Sequence, residues 1–186
     1  MFDFLKSNPA VAMLKEDHDR VERMFIQFEQ AKTRSAKKKI VDQTLTELKV
    51  HAAIEEEIFY PAVRKPVGKE IMNEADEEHH VAKLLIAELE SMTGSESHYD
   101  AKFTVLAENI RHHVKEEENE MLPKAKGVKV DFNALAEKMT RRKEKLLAEG
   151  VPPVGEEKMV KAGGKKGDSP AKAAKRKRPK LAKATR

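Results

Sequence analysis

His51-Ala-Ala-Ile-Glu55 and His113-Val-Lys-Glu-Glu117 write one polar pattern twice, and each copy has a proline ten residues after its histidine, Pro61 and Pro123. All three positions are displaced by 62 residues. Glu16-Asp17-His18 recurs in the same way as Glu77-Glu78-His79, displaced by 61. A chain with this double copy is restricted to folds in which two halves of like design oppose each other. Residues four apart stack on one face of a helix, so each His-x-x-x-Glu can aim an imidazole and a carboxylate at a single point.

The apolar periodicity around these motifs is helical throughout, with no convincing strand. A first helix is predicted from about Pro9 to Ala31 on the stripe Val11, Leu14, Val21, Phe25 and Phe28, and a second from about Ala36 to Arg64, closed by Pro66 and Gly68. A third runs from about Lys69 to Met92. A fourth follows a cap at Ser97 and ends near Pro123 and Gly127, and a fifth runs from Asp131 to Glu149 with Gly150 as its stop. Short connections make consecutive helices antiparallel. The expected fold is therefore all-α: an up-down-up-down four-helix bundle with an additional C-terminal helix and a disordered basic tail. Aromatic residues form only 5% of the chain and tryptophan is absent, which argues against β-sandwiches and barrels.

The net charge of +5 conceals a division. From Lys158 to Arg186 there are 12 Lys plus Arg against the single Asp168, so this stretch carries +11 and residues 1–157 carry −6. The tail has almost nothing with which to build a core and is punctuated by Gly163, Gly164, Gly167, Pro170 and Pro179, which predicts disorder. The domain reading is a bundle over 8–127, an accessory helix over 128–150, and a linker with the Lys/Ala/Pro-rich tail over 151–186.

His51 lies in line with Leu48, Ile58 and Phe59, and His113 with Leu106, Ile110 and Met121, so both are expected to face inward. Imidazoles and carboxylates buried without partners would cost several kcal/mol each (on the order of magnitude for ions in protein interiors), and metal coordination relieves that cost. With no cysteine in the chain, any ligands must be nitrogen and oxygen, which suit iron, zinc or manganese. Two pairs leave a choice. At His79-His80, the repeat with His18 and the stripe Met72, Ala75, Ala82, Ile86 favour His79, leaving His80 to face Asp76 and Lys83. At His112-His113, the repeat with His51 favours His113, and His112 would pair outside with Glu108 and Glu116. Glu56, Glu57 and Glu118 are read as solvated or supporting residues, Tyr60 as a weaker supporting candidate, and His98 as a surface residue.

The segments EDHDRV, HAAIEEEIFYP, EEHHVAKLL and HHVKEEENEMLP together resemble the hemerythrin-like, or HHE cation-binding, family over about residues 8–127. That resemblance implies an antiparallel four-helix bundle around a non-haem di-iron centre, with His18, His51, Glu55, His79, His113 and Glu117 at the ligand positions and Glu55 and Glu117 as bridging carboxylates. It also implies O2, peroxide or nitric oxide as small-molecule ligands. Oxygen carriers of this family have a second histidine four residues after the third-helix histidine, whereas here Lys83 follows His79 at that spacing. They also use Asp, at one further residue of spacing, where this chain has Glu117. Fewer nitrogen donors leave more open positions on the metal, which favours reaction with such molecules over reversible carriage.

The leading expectation is thus a di-iron protein that reacts with O2, peroxide or NO in sensing or detoxification. The enzymatic alternative is a catalase-like or ferroxidase activity. SPAK and KRKRPK in the tail resemble linker-histone-like tails, so a third expectation is non-specific DNA binding through residues 158–186. No run of apolar residues is long enough to span a membrane and no secretion signal is evident, so the expected location is cytoplasmic, with nucleoid association if the tail binds DNA.

Overall fold

The computed structural model describes residues 8–152 apart from 126 and 128. Helix α1 spans Pro9–Gln30, α2 Arg34–Ile54, α3 Tyr60–Val67, α4 Lys69–Glu90, α5 Tyr99–Glu116, α6 Leu122–Ala125 and α7 Phe132–Glu149. Between α2 and α3 the helix continues through a π-helical turn, Glu55–Phe59, and between α5 and α6 through a second one, Glu117–Met121. The four long rods of the predicted bundle are therefore α1, α2 with α3, α4, and α5 with α6. Among the described residues there is no strand. The tail beyond residue 152 and its expected disorder lie outside the described residues.

Local chemistry sets the ends of these helices. The Asn8 side chain accepts from the Val11 amide at 3.1 Å, with Pro9 in the first turn where its missing N–H costs nothing. Thr33 caps α2 through the Ala36 amide at 3.2 Å, and Asp131 caps α7 through the amides of Asn133 and Ala134, both at 3.0 Å. Gly68, with φ 105°, makes the sharp reversal from α3 to α4 that a side chain would resist. The cap expected at Ser97 is not formed. His98 precedes α5 without a side-chain cap, and the turn is organised instead by the Glu96 carboxylate, which accepts from the amides of Thr93 and Gly94 at 2.9 and 3.0 Å.

The bundle packs in two apolar clusters. One holds Leu14, Ile54, Phe59, Met72, Met121 and Met139, and the other holds Val21, Phe25, Phe28, Leu45, Ile86 and Phe103. Between them along the helices lies a layer of buried polar side chains, His18, His51, Glu55, His79, His113 and Glu117. Bidentate arginine pairs clamp neighbouring rods: Arg64 on Asp76 at 2.7 and 3.0 Å, and Arg111 on Glu22 at 2.9 Å twice. The C-terminal helix α7 docks on the outside against α1 and α2, burying Leu135, Met139 and Leu146, and Arg142 grips Glu57 with two bonds of 2.8 Å.

Candidate metal centre

The polar layer contains all six residues singled out by the repeat, and each is at most 7% exposed. Nitrogen and oxygen atoms of His18, His51, Glu55 and Glu117 converge within 4.8 Å of one another, and those of Glu55, His79 and His113 form a second such group. Glu55 belongs to both. Its Oε1 lies 3.1 Å from His51 Nε2 and its Oε2 3.3 Å from His79 Nε2. Glu117 Oε2 lies 3.2 Å from His18 Nε2. The two π-helical turns begin at Glu55 and Glu117 themselves. Such bulges are frequent at functional sites, where the inserted residue re-aims the side chains on either side of it.

Of each pair of neighbouring histidines, the one favoured by the repeat is the one that faces inward. His79 and His113 are buried and point into the layer, while His112 is exposed and lies 3.2 Å from Glu116 and 3.4 Å from Glu78. Glu108, expected beside His112, is not among its partners. His80 is half-buried, but the side chains it was expected to face are engaged elsewhere: Asp76 binds Arg64 and Lys83 binds Glu56.

A ring of carboxylates fixes the imidazoles from behind. His18 Nδ1 lies 2.9 Å from Glu118, His79 Nδ1 2.8 Å from Glu56, and His113 Nδ1 2.8 Å from Glu78. An ionised carboxylate only accepts, so each Nδ1 is the donor, and in a neutral ring Nε2 then carries a lone pair aimed inward. His51 is the exception, with its Nδ1 3.6 Å from Asp17. These supporting acids obey the repeat as well: Asp17 and Glu78 are 61 apart, and Glu56 and Glu118 are 62 apart. Those offsets were the available signal for Asp17 and Glu78, which the sequence reading did not assign.

The inward atoms face one another without ordinary partners. His18 and His51 bring their Nε2 atoms to 3.1 Å, and His79 and His113 bring theirs to 3.2 Å. Both oxygens of Glu55 and both of Glu117 are buried without a hydrogen bond. Buried carboxylates in that state are costly and nitrogen lone pairs in contact repel, so the donor set calls for positive charge at its centre, as protons or as metal. In the protein without metal, protons fill the role. Burial works against charging His51 and His79, but Glu55 with Asp17 around the first, and Glu55 with Glu56 around the second, outweigh it and hold their pKa values at about 10 and about 9. Burial likewise opposes ionisation of Glu55, and the adjacent imidazoles hold its carboxyl well below the ordinary range. The donor set thus fits divalent cations, with the six residues available to hold them.

Tyr60 breaks the two-fold pattern. Its hydroxyl is 3.3 Å from His79 Nε2 and 3.4 Å from His113 Nε2, and the position 62 residues later is Leu122. Burial and the surrounding carboxylates push its pKa well above the usual value, so the phenol keeps its proton. A cavity of about 210 Å³ reaches all four imidazoles from outside, walled by Val21, Leu48, Ile86 and Ile110 and by Leu146 of α7.

A helical bundle with carboxylates and imidazoles projecting into its axis from four helices defines a cation-binding bundle protein. The chain belongs to the hemerythrin HHE cation binding domain family, whose model matches residues 10–125. In structure it is similar to an HHE cation binding domain-containing protein from Mycobacterium kansasii, the homologue of Rv2633c, with a TM-score of 0.65 and 25% identity over 76% of this chain and 88% of that one. It is also 26% identical over 107 residues to a protein named DNA nickase from Nostoc sp. (strain PCC 7120). That match takes in 58% of this chain and 30% of the nickase, so the chain spans less than a third of that relative's length. No helix among the described residues is long and apolar enough to cross a membrane.

Proposed function

We propose that the chain holds two iron ions through His18, His51, Glu55, His79, His113 and Glu117 and reacts there with O2, peroxide or NO in sensing or detoxification. The observation that carries this reading is the pair of buried carboxylates, Glu55 and Glu117, whose four oxygens lack hydrogen bonds and three of which lie 3.1–3.3 Å from the Nε2 atoms of His51, His79 and His18. Iron bound there supplies one-electron and two-electron chemistry toward small oxygen and nitrogen species. The chain's own side chains do the rest. Glu118, Glu56 and Glu78 orient three imidazoles, Glu55 faces both ligand groups, and Tyr60 holds a proton beside His79 and His113. The cavity, with Val21, Leu48, Ile86, Ile110 and Leu146 in its walls, gives small uncharged molecules a route to the imidazoles. Residues 8–127 carry this chemistry, 128–150 support it, and the expected setting is the cytoplasm.

Anaerobic loading with Fe(II), followed by metal analysis and an optical spectrum, tests the proposal. About two irons per chain are expected, with the content falling in His51→Ala and Glu117→Ala. Wild-type protein that keeps no stoichiometric iron would overturn it, and zinc or manganese in its place would correct the metal. Oxygen evolution from peroxide, lost in His113→Ala, would point to the catalase-like activity, and faster oxidation of added Fe(II) to the ferroxidase activity.

A second reading concerns DNA. The +11 of residues 158–186 favours contact of the tail with phosphates, and the name DNA nickase of a relative that matches part of this chain is in keeping with a DNA setting. A gel shift that weakens with salt and vanishes on deletion of 158–186 is expected. A shift that survives the deletion would remove this reading.

A further inference from the structure

Separate from the larger cavity, a small opening of about 40 Å³ between α4 and the α5 rod is lined by His113 and Glu117 and edged by carboxylates. Glu74 and Glu78 stand four apart on α4, and Glu116 and Glu120 stand four apart where α5 runs into its π-helical turn. Like charges at this spacing destabilise a helix, and here two such pairs share one opening. The acids nearest the centre on its other sides are matched with cations: Glu118 with Lys15, Glu56 with Lys83, Asp17 with Lys143. Among the described residues, no Lys or Arg nitrogen lies within 4 Å of any of these four glutamates.

At the rim His112 Nε2 sits 3.2 Å from Glu116 and 3.4 Å from Glu78, and donor atoms of the three converge within 4.8 Å. Glu78 uses its other oxygen to bind Nδ1 of the inner His113 at 2.8 Å, so one carboxylate joins rim to centre. The inner end is Glu117, 1% exposed, with both oxygens unpartnered.

We infer that this opening is the cation entrance, with Glu78, His112 and Glu116 forming an outer, transient divalent-cation site and Glu74 and Glu120 drawing the ion toward it. The inference rests on the centre being metal-binding and adds the route by which it fills. Carboxylates and one imidazole at the rim replace part of the ion's water before it reaches Glu117. The larger cavity serves a different traffic, because the carboxylates in its lining, Asp17, Glu56 and Glu57, are already paired with Lys143, Lys83 and Arg142. A charged ion and an uncharged reactant thus reach the centre by separate doors.

The test is the rate of filling. Metal-free full-length protein is mixed with cobalt(II), whose visible absorption reports entry into imidazole–carboxylate coordination. At low salt, His112→Ala and the triple variant Glu74→Gln, Glu116→Gln, Glu120→Gln are expected to fill at least about fivefold more slowly than wild type while reaching the same final cobalt content. The difference should shrink at high salt, and Glu137→Gln on α7 should keep the wild-type rate. Equal rates in wild type and variants would overturn the entrance, as would equal slowing by Glu137→Gln or a lower final content in the rim variants. If the wild type took up no cobalt, the metal-binding reading would fall together with it, whereas normal wild-type loading with unslowed variants would remove the entrance alone.

Discussion

Lys143 of α7 donates to Oδ1 of Asp17, and the other oxygen of the same carboxylate lies 3.6 Å from Nδ1 of His51. The C-terminal helix, outside the matched family region, therefore reaches to within one side chain of the candidate centre. Burial works to raise the Asp17 carboxyl, but His51 and Lys143 outweigh it and keep it below its ordinary range. Asp17 is 4% exposed, so removing the ammonium would leave its buried charge with only the longer contacts to His51 at 3.6 Å and Arg20 at 3.9 Å. Lys143→Met is expected to lower unfolding stability by about 3 kcal/mol, the range for one broken partner of a buried pair. In a double-mutant cycle with Asp17→Asn, the two losses should sum to more than the loss in the double variant, measured by urea denaturation.

Proton release follows from the two raised imidazole values. In metal-free protein at pH 7, His51 with a pKa of about 10 and His79 at about 9 both hold a second proton that a metal ligand cannot keep. Metal uptake at pH 7 should release about two protons per chain from these residues, read by calorimetry in buffers of different ionisation enthalpy. Affinity should tighten as pH rises toward 9. The sign for folding is opposite. Both folded values lie above the ordinary 6.5, so their stabilisation of the metal-free protein is complete below about pH 6.5 and is lost as pH rises through 9 to 10. Melting temperature against pH, with and without metal, checks both signs.

Phe103 provides a test remote from the chemistry. Its ring packs 4.4 Å from that of Phe28 and 5.7 Å from that of Phe25, centroid to centroid, within one apolar cluster. Phe103→Ala should cost about 3–5 kcal/mol of unfolding free energy. Metal content per folded chain should be unchanged, as measured by metal analysis of the folded fraction.

The long rods and the six inward residues were legible because two periodicities agree, the apolar stripe and the offset of 61 or 62 that carries His18 to His79 and Glu55 to Glu117. What the pattern could not convey is partnership across the bundle. His18 takes its carboxylate from Glu118 and His79 from Glu56, each from the opposite half, and that exchange exists only once the halves face each other. Lys143 was equally hidden, being 126 residues from Asp17 on a helix with no copy in the repeat. The π-helical turns left one trace, the prolines at 61 and 123, which lack the N–H that an unbroken helix would use.

Tyr60 offers the sharpest separation of holding metal from using it. Its phenol keeps its proton and stands 3.3 and 3.4 Å from the Nε2 atoms of His79 and His113, whereas the repeat places Leu122 at the matching point of the other half. A neutral donor in this place can hydrogen-bond a small molecule arriving beside those two residues, and the His18–His51 side has no counterpart from the repeat. Tyr60→Phe removes only that donor and preserves the ring, which packs 5.4 Å from His79. Metal content and melting temperature are therefore expected to stay near wild type, within about 1 kcal/mol for one lost hydrogen bond. The rate of reaction with peroxide should fall about a hundredfold, the lower end of the range for a positioned proton donor. If metal content fell while the rate per bound ion held, the phenol would be serving the metal and not the incoming molecule; rapid-mixing kinetics with parallel metal analysis separates the two.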